Sequence, residues 1–221
     1  MKKVLYSLVA FIGFVFIVSL TFKPYNGSFI VKTLPVWLLA VVAYRYRLGG
    51  SRGWLLFAGV LWGSVGDIFL DLDPQNYFVF GLGSFLVGHV LYILFFLSGF
   101  QLNKLRSGLA AVLIAFSIGM AGLLLPRIQA QDPNLVVPVM VYLTVILCMG
   151  LAAVLRQPVS SLSIYGSVVF MLSDSLIALR KFVFVEAVEG TAEGLAFSVA
   201  IMFTYYLAQF LIVEGGIRRL N

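Results

Sequence analysis

Long apolar runs alternate with short polar punctuation from one end of the chain to the other. Taking Pro, Gly and charge clusters as boundaries divides the 221 residues into eight runs: 2–21, 31–47, 53–72, 77–99, 105–125, 134–155, 160–181 and 192–213. Each run approaches the roughly 20 apolar residues a helix needs to cross a bilayer, and the joining segments leave no room for a soluble domain. The pattern predicts an all-α membrane protein, one helical domain over 1–221 with eight transmembrane helices. Composition agrees, with 62% apolar and 11% charged residues and a mean hydropathy of +1.05. Soluble domains are only about half apolar.

Charge sets the expected orientation. The net charge of +6 is spread along the chain with no long basic run, which excludes nucleic acid as a partner. With the N-terminus inside, the inner ends carry Lys2, Lys3, Arg45, Arg47, Arg52, Lys104, Arg106, Arg156, Arg218 and Arg219. The outer side then has Lys23, Lys32, Arg127, Arg180 and Lys181, together with Asp73, Asp132, Glu186, Glu189 and Glu193. Ten cations against five follow the positive-inside rule, so both termini are expected in the cytoplasm. The first run begins like a secretory leader, but its long apolar stretch lacks a small-x-small cleavage site and reads as a retained helix. The single cysteine, Cys148, lies in an apolar run, so intrachain disulfides are excluded and the thiol reads as packing.

Two pairs of segments echo each other. "TLPVWLLAVV" in the second run resembles "VVPVMVYLTV" in the sixth, and "VGDIFLDL" in the third resembles "LSDSLIAL" in the seventh. Pro35 and Pro138 are 103 positions apart, Asp67 and Asp174 are 107 apart. The near-equal offsets point to duplication of a four-helix unit, with repeats 1–104 and 105–221. An even number of spans per copy makes the repeat parallel. Asp67 and Asp174 then occupy equivalent depths, about 21 Å from the inner ends of their helices.

A carboxylate inside a span is expensive and marks function by default. Asp67, Asp174 and His89 are too deep for snorkelling to explain, while Asp71 stands one turn outward of Asp67 and is expected to reach interfacial water. In "GLGSFLVGHVLYILFF", Ser84 and Gly88 permit close helix approach, and Phe85, His89 and Tyr92 recur at helical spacing. Ser173 and Ser175 flank Asp174, and Tyr205 and Gln209 share a face of the last run. Arg180 and Lys181 close the seventh run, with Lys181 two turns from Asp174, either as snorkelling anchors or on a lipid phosphate. One histidine and no plausible thiolate argue against zinc. The serines lie in no G-x-S-x-G context, and "GLGSF" is not a phosphate loop.

Taken in order, "GSVGDIFLDL", "GLGSFLVGHVLYILFF", "LSDSLIALRKF" and "YYLAQFLI" resemble the YhhN family of multi-pass membrane proteins. The resemblance implies an eight-helix bundle that hydrolyses the vinyl ether bond of lysoplasmalogens to a fatty aldehyde and a glycerophospho-alcohol. It places the functional aspartates at Asp67 and Asp174, with His89, Tyr92 and Gln209 in support.

The chemistry suits these residues. Vinyl ether cleavage needs an acid to protonate the β-carbon and a negative group beside the resulting oxocarbenium ion, which water captures. Two carboxyls in unequal surroundings supply both. Asp67, among apolar neighbours, is expected to be the acid and Asp174 the ionised partner. Supporting or substrate-binding roles fall to His89, Tyr92, Ser173, Asp71, Tyr205, Gln209 and Lys181. A single-chain lipid is expected to enter with its head toward the outer side, past Phe85, Tyr92 and Tyr165. No cofactor or metal is required, and the short loops suggest a bacterial inner membrane. A small proton-coupled transporter, or a lipid-binding protein without turnover, would use the same intramembrane acids.

Overall fold

A computed structural model describes residues 2–46, 51–97, 99–157 and 159–220. Eight helices follow one another: α1 (Lys2–Ser19), α2 (Ser28–Arg45), α3 (Ser51–Leu72), α4 (Phe78–Phe96), α5 (Lys104–Gln131), α6 (Val136–Leu155), α7 (Ser161–Phe182) and α8 (Ala192–Leu220). All eight are long and apolar enough to cross a membrane, so the chain is an integral multi-pass membrane protein. Arg47 lies outside the described residues, as does the side chain of Arg219.

Local chemistry sets the helix ends. Asn103 caps α5 by accepting from the Arg106 backbone N–H, and Ser160 caps α7 by accepting from that of Leu162. Between α4 and α5, Gly99–Phe100 pairs antiparallel with Arg156–Gln157. Arg106 reinforces that junction by donating to the carbonyls of Val154 and Arg156.

Three of the boundaries that differ from the apolar pattern have a clear physical cause or consequence. α5 continues through Pro126 to Gln131, where the sequence places an end at 125. In lipid an unbroken helix is the cheaper way to satisfy the backbone, even with one bond missing. α8 runs through Gly215 and Gly216 because these glycines are contact points; a Cβ on Gly216 would lie 2.8 Å from Leu56 Cδ2. α2 starts at Ser28, three residues before the apolar run. That shift places Lys32 a full turn inside the helix.

α3 and α4 approach closely along glycines. A Cβ on Gly59 would lie 2.6 Å from the Tyr92 ring, one on Gly66 2.6 Å from the Phe85 ring, and one on Gly88 3.2 Å from the Gly59 carbonyl oxygen. Gly66→Ala is therefore expected to cost about 1–3 kcal/mol by overpacking, read as a lower unfolding midpoint in detergent. Gly119→Ala is the control: a Cβ there meets nothing within 4 Å, and the midpoint should hold or rise slightly.

Within the bundle α2 packs on α3 and α8, while α6 packs on α7 and α4. Both termini lie at one end, where the buried Glu214 carboxylate accepts from Lys2 (2.7 Å), Tyr6 (2.5 Å) and Arg218 (2.9 Å). Large side chains such as Phe11, Phe14, Val112 and Ile118 are exposed on α1 and α5, as expected of surfaces solvated by lipid. Cys148 is exposed too, on the outer face of α6 rather than in the packing that the sequence suggests. Helix periodicity, which the apolar content of that run conceals, turns it outward.

Candidate active site

At the end opposite the termini the bundle opens into a cavity of about 1010 Å³. Its rim comes from the loops preceding α2, α4 and α8, and its walls from α2, α3, α4, α7 and α8. Asp67 and Asp174 both line it, as do Asp71, Ser173, Tyr205 and Lys181. Six of the nine residues singled out in the sequence thus face one space.

The two acids have different surroundings. Asp67, on α3, is 3% exposed. Its Oδ1 lies 3.3 Å from the Lys32 ammonium, which also donates to the Asp67 carbonyl oxygen at 3.3 Å. The Tyr205 hydroxyl lies beside the same carboxyl. Asp174, on α7, accepts from the Tyr142 hydroxyl at Oδ2, and His89 Nε2 lies 3.1 Å from that oxygen and 2.9 Å from the Tyr142 oxygen. Because the Tyr142 proton is already committed to Asp174, Nε2 must carry the proton in its own bonds. Asp67 Oδ2 and Asp174 Oδ1 are buried and have no hydrogen-bond partner among the described residues.

His89, Tyr92 and Gln209 stand behind the cavity. His89 is packed edge-on against Phe170 and Tyr142, with ring centroids 4.7 and 5.4 Å away. Tyr92 donates to Gln209 Oε1 at 2.6 Å, and Gln209 Nε2 donates to the Tyr205 hydroxyl oxygen at 3.3 Å. A buried chain of polar groups therefore runs from α4 through α8 to the Asp67 carboxyl. Gln209→Leu leaves the Tyr92 hydroxyl buried without an acceptor. It is expected to cost about 1–3 kcal/mol of stability, measured by detergent unfolding, and to lower turnover through a displaced Tyr205.

Other expectations need correction. Asp71 does not reach interfacial water; its side chain is 3% exposed and is bonded by Lys23 and Ser28, with the Lys32 ammonium 3.9 Å away. The loop before α2 and the first residue of α2 lie over it and supply those donors, which spacing along α3 does not reveal. Tyr165 is 64% exposed on the outside of α7 and does not line this cavity. Ser173 lines the cavity but donates to the Ile201 carbonyl oxygen at 3.2 Å, tying α7 to α8. Asp174 also stands three residues further from the outer end of its helix than Asp67 does, eight positions before Phe182 against five before Leu72.

Sequence reasoning missed Lys32 and Tyr142. Lys32 reads as an outer-side charge at the edge of an apolar run; its signal is position, a cation one turn inside a helix that already starts at Ser28. It is 8% exposed and joins Asp67 to Asp71. Tyr142 is one of the few hydroxyl-bearing residues in "VVPVMVYLTVILCM", the kind of polar interruption in a deep span that faces the bundle interior.

A multi-helix membrane bundle holding two buried carboxyls against one cavity defines the class. Within it the chain belongs to the YhhN family, whose profile matches residues 27–216. It is 31% identical over 182 residues to a protein of Mycobacterium tuberculosis named lysoplasmalogenase. That match covers 80% of this chain and 66% of the mycobacterial protein, so the chain spans about two thirds of that relative's length. It is 33% identical over 208 residues to the human lysoplasmalogenase TMEM86A, covering 88% of this chain and 80% of the human one. No solved structure matches.

Proposed function

We propose that this protein is a membrane-embedded hydrolase that cleaves the vinyl ether bond of lysoplasmalogens with water, using its two cavity carboxyls as acid and charge partner. The observation that carries this reading is that Asp67 and Asp174 line one cavity, each with one carboxyl oxygen that has no hydrogen-bond partner among the described residues. The names of its relatives supply the substrate class.

In the proposed reaction Asp67 Oδ2, with Oδ1 fixed by Lys32, delivers a proton to the β-carbon. The alkene π electrons form the new C–H bond and leave an oxocarbenium ion on the α-carbon and ether oxygen. Two donors hold Asp174 Oδ2, an arrangement suited to an ionised carboxylate, and its other oxygen stabilises the cation and orients water. Water adds to the α-carbon and returns a proton to Asp67. The hemiacetal then breaks its C–O bond to release aldehyde and the glycerol hydroxyl. Glycoside hydrolases meet the same oxocarbenium problem with two carboxyls.

The duplicated four-helix unit belongs to this reading. Each acid is approached by the helix preceding its own (Lys32 on α2, Tyr142 on α6) and by the last helix of the other half (Tyr205 on α8, His89 on α4). That correspondence supports two copies facing one another across the cavity. The charge asymmetry supports cytoplasmic termini, with the cavity opening on the far side, and the short loops support a bacterial inner membrane.

Incubating purified protein in detergent with a lysoplasmalogen tests the reading. Free aldehyde and glycerophospho-alcohol should appear in equal amounts. No aldehyde, with substrate-dependent proton flux after reconstitution, would instead identify a transporter; binding without either would identify a lipid-binding protein.

A further inference from the structure

Four cations line the cavity: Lys23, Lys32, Arg180 and Lys181. The first two are committed internally, Lys23 to Asp71 and Lys32 between Asp67 and Asp71. Arg180 and Lys181, both half-buried at the end of α7, take part in no ion pair among the described residues.

They are nevertheless held in place. Arg180 Nε donates to the Ala187 carbonyl oxygen and Nη1 to Ser198 Oγ, each at 2.9 Å. Those bonds use two of its five N–H donors. The Lys181 ammonium sits 4.2 Å from the Phe78 ring centroid, a cation–π contact. A snorkelling anchor reaches for water on a mobile stem. Glu189 and Asp132 act on the two cations only through space, without an ion pair, and a braced guanidinium with spare N–H groups beside a second cation is built instead for a phosphate.

We propose that Arg180 and Lys181 form the phosphate-recognition site of the cavity, holding the phosphodiester of a single-chain ether lipid at the rim. The proposal rests on the hydrolase reading and adds what selects its substrate. Arg180 and Lys181 follow Asp174 by six and seven residues on the same helix, an axial rise of roughly 9–10 Å. The three-carbon glycerol backbone of the lipid and the reach of the two side chains span that interval. With phosphate on the cations, the ether bond falls level with the acids. Leu70, Phe85, Ile177 and Met202 offer the chain an apolar wall.

The test reads binding without turnover. A saturated 1-O-alkyl-glycerophosphoethanolamine and its phosphate-free counterpart, 1-O-alkylglycerol, are titrated into wild type, Arg180→Gln, Lys181→Gln and the double variant in the same micelles. Each single change should weaken binding of the phosphate-bearing ligand at least about tenfold, and the double change more. Binding of alkylglycerol should not move. Arg180→Lys, which keeps charge but loses the planar fork, should recover only part of the loss. Equal binding of the phosphate-bearing ligand by wild type and double variant overturns the proposal. Equal loss of both ligands also overturns it, since the pair would then merely support the cavity. Displacement of the lipid by millimolar inorganic phosphate would assign the site to the free ion and overturn it as well. No bond is cleaved, so absence of vinyl ether hydrolysis would defeat the proposed function while this result stood by itself.

Discussion

Asp67→Asn and Asp174→Asn should each lower aldehyde release by about 10²–10⁴-fold, the range in which a positioned acid or base contributes. The amide keeps the size of the carboxyl. At Asp67 it removes the proton destined for the β-carbon; at Asp174 it removes the charge that faces the cation and presents an NH₂ or a weaker acceptor to Tyr142 and His89. Both variants should remain folded: the amide fills the same space, and after Asp67→Asn the Lys32 ammonium keeps Asp71 3.9 Å away. Kinetics beside a detergent unfolding curve separate the two effects. Full activity in either variant would remove that residue from the chemistry. The doubly substituted protein should be little worse than the more damaged single variant, since groups that act as one unit are not additive.

Lys32→Met should produce the largest loss of stability, about 3–5 kcal/mol, because it strips the buried carboxyls of Asp67 and Asp71 of the cation they share. Lys32 is 8% exposed and bridges Asp67 and Asp71. A double variant, Lys32→Met with Asp67→Asn, removes both members and should regain much of that stability while remaining inactive. The cycle formed by wild type, the two single variants and the double isolates the pair's coupling. Additive stability changes would show that Lys32 and Asp67 do not act as a pair. Chemically, its role is positioning: it holds Oδ1 of Asp67 and leaves Oδ2 for substrate.

The membrane fold was legible because apolar run length and helix length are tied by bilayer thickness. Run boundaries were less so at Pro126 and at Gly215–Gly216, where lipid solvation and close packing override the usual helix breakers. Within the site, Asp67, Asp174 and Tyr205 could be placed because deep polar side chains in lipid have few places to go. Asp71 was harder to read: its partners, Lys23 in the loop before α2 and Ser28 at the start of α2, lie 43 to 48 residues earlier in the chain, and only tertiary structure brings them over the end of α3. Tyr165 failed for a related reason. Aromatic residues face lipid as readily as they face a cavity, so composition alone does not choose a side. Tyr142 went unnoticed because tyrosine is also common where helices meet the membrane interface, whereas its bond to Asp174 depends on how α6 packs against α7.

A structure with a saturated ether lysophospholipid bound tests the central claim most directly. The ether oxygen and the carbon beside it should lie inside the cavity, within hydrogen-bond reach of both Asp67 and Asp174, roughly 3 Å or one intervening water. A ligand seated elsewhere in the bundle, or one touching a single carboxyl with the other remote, would contradict the account.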